Sequence, residues 1–185
     1  MASQRDKASE VLEFWFTETL PHQWFAKDPA FDQLLQQRFV ALTRRAIASE
    51  LDAWDADPTG ALALVLLLDQ FPRQIWRDSA MAFAGDPQAL ALSLRAVELG
   101  WLAAEHEQAR RQFWLMPLMH SDDLAVQEAA QPLFERFSDP RTADFARRHR
   151  DVIARFQRFP HRNAALGRVS SAAELAFLQT PGSRF

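Results

Sequence analysis

Groups of the kind that move protons or grip anions crowd into three short stretches of this chain, each built around a proline beside large apolar residues. The first reads Leu68-Asp69-Gln70-Phe71-Pro72-Arg73-Gln74, and the second Phe113-Trp114-Leu115-Met116-Pro117-Leu118-Met119-His120-Ser121-Asp122. The third is Arg155-Phe156-Gln157-Arg158-Phe159-Pro160-His161-Arg162-Asn163. Asp69 or Asp122 would serve as an acid/base carboxylate, with His120 and His161 as proton carriers, since imidazole titrates nearest to neutral pH. Arg73, Arg155 and Arg162 carry forked donors that match the two oxygens of a carboxylate or phosphate. The candidate catalytic set is therefore Asp69, His120 and His161, and the candidate ligand-binding set Arg73, Ser121, Asp122, His149, Arg155, Arg162 and Asn163.

Each of these has a plainer reading beside it. His161, Arg162 and Asn163 offer donors and one amide oxygen. They suit a ligand oxyanion, and they suit Asp69 or Asp122 of the same chain equally. His149 falls on the apolar stripe of Phe145, Val152, Ile153 and Phe156, where a histidine hydrogen-bonded within the core is the ordinary outcome. A buried network of Asp69, Arg73, His161 and Arg162 would lock helix ends without doing chemistry.

Proline forbids normal helix continuation and disfavours helical geometry in the residue before it. The three proline strings are therefore expected to end helices and to project stiff segments at the edge of the core. Helix starts are marked by aspartate before proline, an N-cap followed by a favourable first residue, at Asp28-Pro29, Asp57-Pro58, Asp86-Pro87 and Asp139-Pro140. Ser171 and Glu174 form a capping box. The pattern predicts helices over about 5–17, 29–48, 60–71, 87–99, 104–116, 122–137, 140–157 and 171–179. In the second, Phe31, Leu34, Leu35, Phe39, Leu42 and Ala46 recur at helical spacing, while the run from Ala61 to Leu68 is apolar all round and reads as a central buried helix. No alternating strand pattern and no Asn-Gly or Asp-Gly hairpin turn occurs. The expected fold is all-α: a single domain over residues 1–185 of about eight helices. The 29-residue spacing of the first three Asp-Pro pairs hints at a tetratricopeptide-like α-α superhelix.

Composition narrows the function classes. The chain has no cysteine, which removes disulfides, thiolate metal sites and cysteine nucleophiles and fits a reducing, cytoplasmic setting. No apolar leader follows the polar start, and no apolar run approaches the ~20 residues that span a bilayer, so no membrane association is expected. Motifs for zinc, calcium, nucleotide phosphates and dinucleotides are missing, so neither a metal nor a cofactor is expected. The net charge of −3 speaks against nucleic acid. Its distribution is uneven: residues 141–168 hold eight arginines and two aspartates, a net of +6, leaving −9 for the remainder. Such a basic third can mark an anion site or can pair with acids elsewhere in the fold. Trp24, Phe25 and Phe185 belong either to the core or to a self-association surface.

The strings LDQFPRQ, FWLMPLMHSDD and HRDVIARFQRFPHRNAALGRVS, with FWF near the start and WFAKDPAFD after it, resemble the bacterial domain of unknown function 924 family from about Val11 to Phe185. The resemblance implies an all-α, tetratricopeptide-like superhelical fold and no established activity. It places Asp69, Gln70, Phe71, Pro72 and Arg73 in one family motif, His120 and Ser121 in a second, and His149, Arg155, Phe159, Pro160, His161, Arg162, Asn163 and Gly167 in a third. The chain departs from the family pattern at Gln74, where asparagine is expected, at Asp122, where glutamate is expected, and at Gln157, where glycine is expected. Two function classes follow: an enzyme or binder of an anionic small molecule at the proline strings, and a helical scaffold for a peptide, a protein partner or a second copy of the chain.

Overall fold

A computed structural model describes residues 4–183, and every regular element among them is helical. Helix α1 (Gln4–Glu13) runs into a π-helical turn at Phe14–Glu18, and helix α2 spans Pro29–Ile47. Helix α3 (Pro58–Val65) continues through a second π-helical turn at Leu66–Gln70 into α4 (Phe71–Ile75). Helices α5 (Asp86–Glu98), α6 (Trp101–Ala104), α7 (Gln108–Met119), α8 (Leu124–Phe137) and α9 (Pro140–Phe156) follow. A 3-10 turn at Pro160–Arg162 then leads to α10 (Ala172–Leu178).

The starts follow the sequence closely. The Asp28, Asp57 and Asp139 carboxylates each accept backbone N–H groups of their helix's first turn. Each such cap contributes about 1 kcal/mol. The Ser171–Glu174 capping box forms with both of its reciprocal bonds. Helix α2 buries Phe31, Leu35, Phe39, Thr43 and Ala46, while Leu34, expected inside, is exposed. Helix α3 packs against α1, α5 and α7, which is why it can be apolar on every side. Around it lies a cage of rings. Phe14 and Phe39 lie 4.9 Å apart between centroids, Trp15 and Phe71 5.3 Å, and Trp24 and Phe113 5.1 Å. A smaller apolar cluster of Val152, Ile153 and Phe159 seats α9 against Phe156, Leu124 and Phe177. Trp24 is buried, and Phe25 is exposed although it stacks on Phe113 at 6.2 Å. Phe185 lies outside the described residues.

Two of the three prolines do not end their helices. Pro72 sits in the first turn of α4, directly after the π-helical turn. The π-helical turn before it makes this fit: the Phe71 N–H reaches back five residues to Leu66 O, so the chain passes from α3 into α4 without a break. Pro117 lies inside α7, which continues to Met119. An interior proline costs about 3 kcal/mol. Here every residue from Phe113 to Met119 is buried, and that packing outweighs the cost. Only Pro160 follows a true stop: α9 ends where Gln157 turns left-handed at φ 57°.

Candidate functional site

The turn at Leu66–Gln70 is the origin of the site. A π-helical turn carries one extra residue and alters the direction in which the following side chains leave the helix, and such turns recur at functional positions. Here it delivers Asp69 into the interior, where the carboxylate is fully buried. Asp69 Oδ2 accepts from Gln70 Nε2 at 2.5 Å, and Oδ1 accepts from His120 Nδ1–H at 2.7 Å. Arg73, one turn on, donates from Nη1 to the Asp69 carbonyl at 2.5 Å and lies 3.3 Å from Oδ1. His120 itself caps the end of α7, donating its backbone N–H to Met116 O.

Arg73 also donates to both oxygens of Asp86, at 2.8 and 3.0 Å. Arg162 donates from Nη1 to Asp86 Oδ2 at 3.0 Å and from Nη2 to the His120 carbonyl at 3.1 Å. Its guanidinium lies between the Phe83 and Phe159 rings, 4.8 and 4.4 Å from their centroids. Asp86 was not in the sequence-derived set. Its Asp-Pro pair reads as an N-cap, but Gly85 holds the cap position and Asp86 is the first residue of α5. Gly85 makes the approach possible: a Cβ there would lie 2.3 Å from Leu68 O, so only glycine lets this loop rest on the π-helical turn.

The electrostatics follow from burial. Burial alone would raise the Asp69 carboxyl, but Arg73 and the hydrogen bonds from His120 and Gln70 outweigh it and hold the group well below the usual carboxylate range. Burial pushes the His120 imidazole down; Asp69 opposes this, and Arg73 and Arg162 reinforce it. Arg73 is the partner charge that counts for Asp69, because His120 is itself driven toward its neutral form. Burial also disfavours the Arg73 cation, yet Asp69 and Asp86 together hold it above its ordinary value. Arg162, pressed by burial and by Arg73, falls to about 10. At neutral pH the cluster thus holds an ionised Asp69, two guanidiniums bridged by Asp86, and a neutral imidazole that donates through Nδ1.

The remaining sequence-derived residues divide. His149 is buried, donates Nδ1–H to Phe145 O at 2.8 Å, and stands with its ring 6.2 Å from His120. Burial, then repulsion from His120, hold it well below the ordinary histidine value. His161 rests on Phe159, ring to ring at 5.6 Å. Asp122 lies at the rim, 38% exposed, 4.0 Å from Arg162 and 3.9 Å from Arg168. Ser121 accepts the Asp123 N–H and so shapes the turn before α8. Asn163 joins a neighbouring network, donating to Ser170 Oγ at 3.0 Å and to Glu174 at 3.4 Å. Arg155 is not brought to the cluster; it is exposed and covers the Phe156 ring. Among the described residues no group of three or more His, Asp or Glu is placed to hold a metal ion. Two cavities, of about 410 and 500 Å³, open elsewhere, beside Trp54 and Gly60 and beside Gln74 and Trp76. Among the described residues no helix is long and apolar enough to cross a membrane.

The same architecture is known from a solved structure. The structure of the protein of unknown function ATU0120 from Agrobacterium tumefaciens is 36% identical and superposes with a TM-score of 0.89 over 96% of this chain and 99% of that one. No curated relative matches. Residues 11–182 match the family described as bacterial protein of unknown function (DUF924), and the chain belongs to that family.

Proposed function

We propose that the Asp69–His120 pair is the proton-transfer element of a small-molecule site, with His120 as general base. The observation that carries this is the 2.7 Å bond from His120 Nδ1 to a fully buried carboxylate, the His120 side chain itself being 11% exposed. A carboxylate on Nδ1 fixes the tautomer and leaves the Nε2 lone pair as the proton acceptor. The lowered imidazole value keeps that acceptor unprotonated near neutral pH. The arrangement suits removal of a proton from a bound hydroxyl or water. We read the chain as one domain of tetratricopeptide-like helix pairs acting in a bacterial cytoplasm, in keeping with its family and its lack of cysteine.

A second reading has its own observation behind it. Arg73, Arg162, Asp69 and Asp86 satisfy one another, as a purely structural lock would. The scaffold reading, with a peptide, a protein or a second copy as partner, fits stacked helix pairs, but the charged residues gather at helix ends and not along one face. NMR of the His120 ring together with thermal shifts against a broad metabolite panel separates these. A proton-transfer site gives a downfield Nδ1 proton, an imidazole titrating below the ordinary value, and a ligand whose stabilisation His120→Gln abolishes. An ordinary titration, or a panel with no such ligand, would leave only the lock.

A further inference from the structure

The network is closed on its inner side and incomplete at its rim. Asp69 and Asp86 each accept several side-chain hydrogen bonds. Asp122 does not: its oxygens stop 4.0 Å from Arg162 Nη1 and 3.9 Å from Arg168 Nη1, beyond hydrogen-bonding length. The Arg168 side chain, 36% exposed, is engaged no more closely than that among the described residues. The Arg162 guanidinium is 6% exposed, and its buried Nε–H has no acceptor among them. A buried guanidinium donor left unmatched is costly, and most such groups in folded proteins find a partner. Asp122 spans the gap between the Nη1 atoms of the two arginines.

We propose that this rim is the oxyanion subsite of the site, where a carboxylate or phosphate group of the ligand sits between Arg162 and Arg168 in place of Asp122. The inference rests on the reading of Asp69–His120 as a ligand site and names the group by which its ligand is held. Asp122 acts as an internal counter-ion. Ion pairs this long, made by a carboxylate 38% exposed, contribute little, so the carboxylate yields readily to a better-fitting anion. Arg162 is the fixed half of the subsite, because Phe83 and Phe159 hold its plane and Asp86 and the His120 carbonyl its position. A fork fixed in advance loses little entropy on binding. Arg168 is the exposed half. Arg162 also bonds the backbone carbonyl of His120, which ties the subsite to the residue proposed as general base. Of the three arginines read from sequence as anion-binding, Arg162 keeps that role in this proposal and Arg168 joins it, while Arg73 is taken by both oxygens of Asp86 and Arg155 lies elsewhere.

The test is isothermal titration of the full chain and of its Asp122→Asn and Arg168→Gln variants with inorganic phosphate, with succinate, and with sodium chloride at matched ionic strength. Both substitutions lie at exposed positions, and circular dichroism checks that each variant folds. Removing the competing carboxylate should tighten phosphate or succinate about fivefold, and Arg168→Gln should weaken it about tenfold, the range of one to two exposed charge contacts. Chloride should give no saturable heat. The stronger of the two oxyanions identifies the ligand group. Equal affinity in wild type and Asp122→Asn, full affinity in Arg168→Gln, or no binding of either oxyanion to Asp122→Asn would overturn the subsite. The His120 ring spectrum is independent of these outcomes. If it shows the carboxylate-bound Nδ1 proton while phosphate and succinate fail, the subsite alone falls; if that proton is missing, the proton-transfer reading falls.

Discussion

Asp69 and Glu174 are both buried carboxylates held ionised, yet they are assembled in opposite ways. Glu174 is served from nearby: Ser171 through the capping box, Arg158 at 2.6 and 2.8 Å, and Asn163. Hydrogen bonds from Arg158 and the Ser171 backbone hold it well below its ordinary value. Asp69 takes Gln70 and Arg73 from its own stretch of helix, but the rest of its network comes from far along the chain. His120 lies 51 residues away, and the bridge through Arg73 and Asp86 reaches Arg162, a further 76 residues from Asp86. A local cluster can form as soon as its helix end forms. The long-range cluster exists only once α4, α5, α7 and the Pro160–Arg162 turn have docked, so it reports on the whole fold.

The sharpest way to break this comparison is to neutralise each carboxylate in turn. Asp69→Asn leaves Arg73 without one of its two acids in a buried setting and should cost about 3–5 kcal/mol, the range for breaking a buried pair by removing one partner. Urea unfolding measures it, and a loss no larger than that of a surface substitution would contradict the tertiary role. Acid should separate the two clusters next. His120 and His149 are both lowered in the folded protein, so the unfolded chain takes up their protons first. Stability is therefore full above the unfolded histidine value near 6.5 and is lost as pH falls below it, by at most ~1.4 kcal/mol per pH unit for each histidine. Asp69 and Glu174 add to the loss only below their ordinary values of 3.8 and 4.5. His149→Phe should flatten the slope between pH 7 and 5, and Glu174→Gln should leave it unchanged; a slope insensitive to His149 would remove the histidines from the account. The smallest expected effect is the level of stability in Glu174→Gln, about 1.5 kcal/mol below wild type, because the charged hydrogen bonds from Arg158 are lost while the capping box, which glutamine also closes, survives and Arg158 can turn to water.

The local chemistry of this fold was legible residue by residue. Aspartate before proline marked three helix starts, and Ser171 with Glu174 marked the last, because a cap is made by atoms within a few residues of each other. The apolar run from Ala61 announced a central helix for the same reason. Asp69, Arg73, His120 and Arg162 could be picked out as chemistry-bearing types beside aromatics, but not assigned to one another. Asp86 carries the same Asp-Pro dipeptide as Asp57, and its different fate depends on Gly85 fitting against the Leu68 carbonyl, a contact between distant segments. Pro72 and Pro117 were expected to stop their helices. Their neighbours kept those helices going, one through a π-helical turn and the other through burial on every side. Spacing along the chain governs caps and faces, since those depend on neighbours in sequence. The pairing of Asp69 with His120, the bridging by Asp86 and the gap between Arg162 and Arg168 were settled only by docking. Each requires a charge to find its partner in a low-dielectric interior, and nothing in the order of residues states which partner that will be.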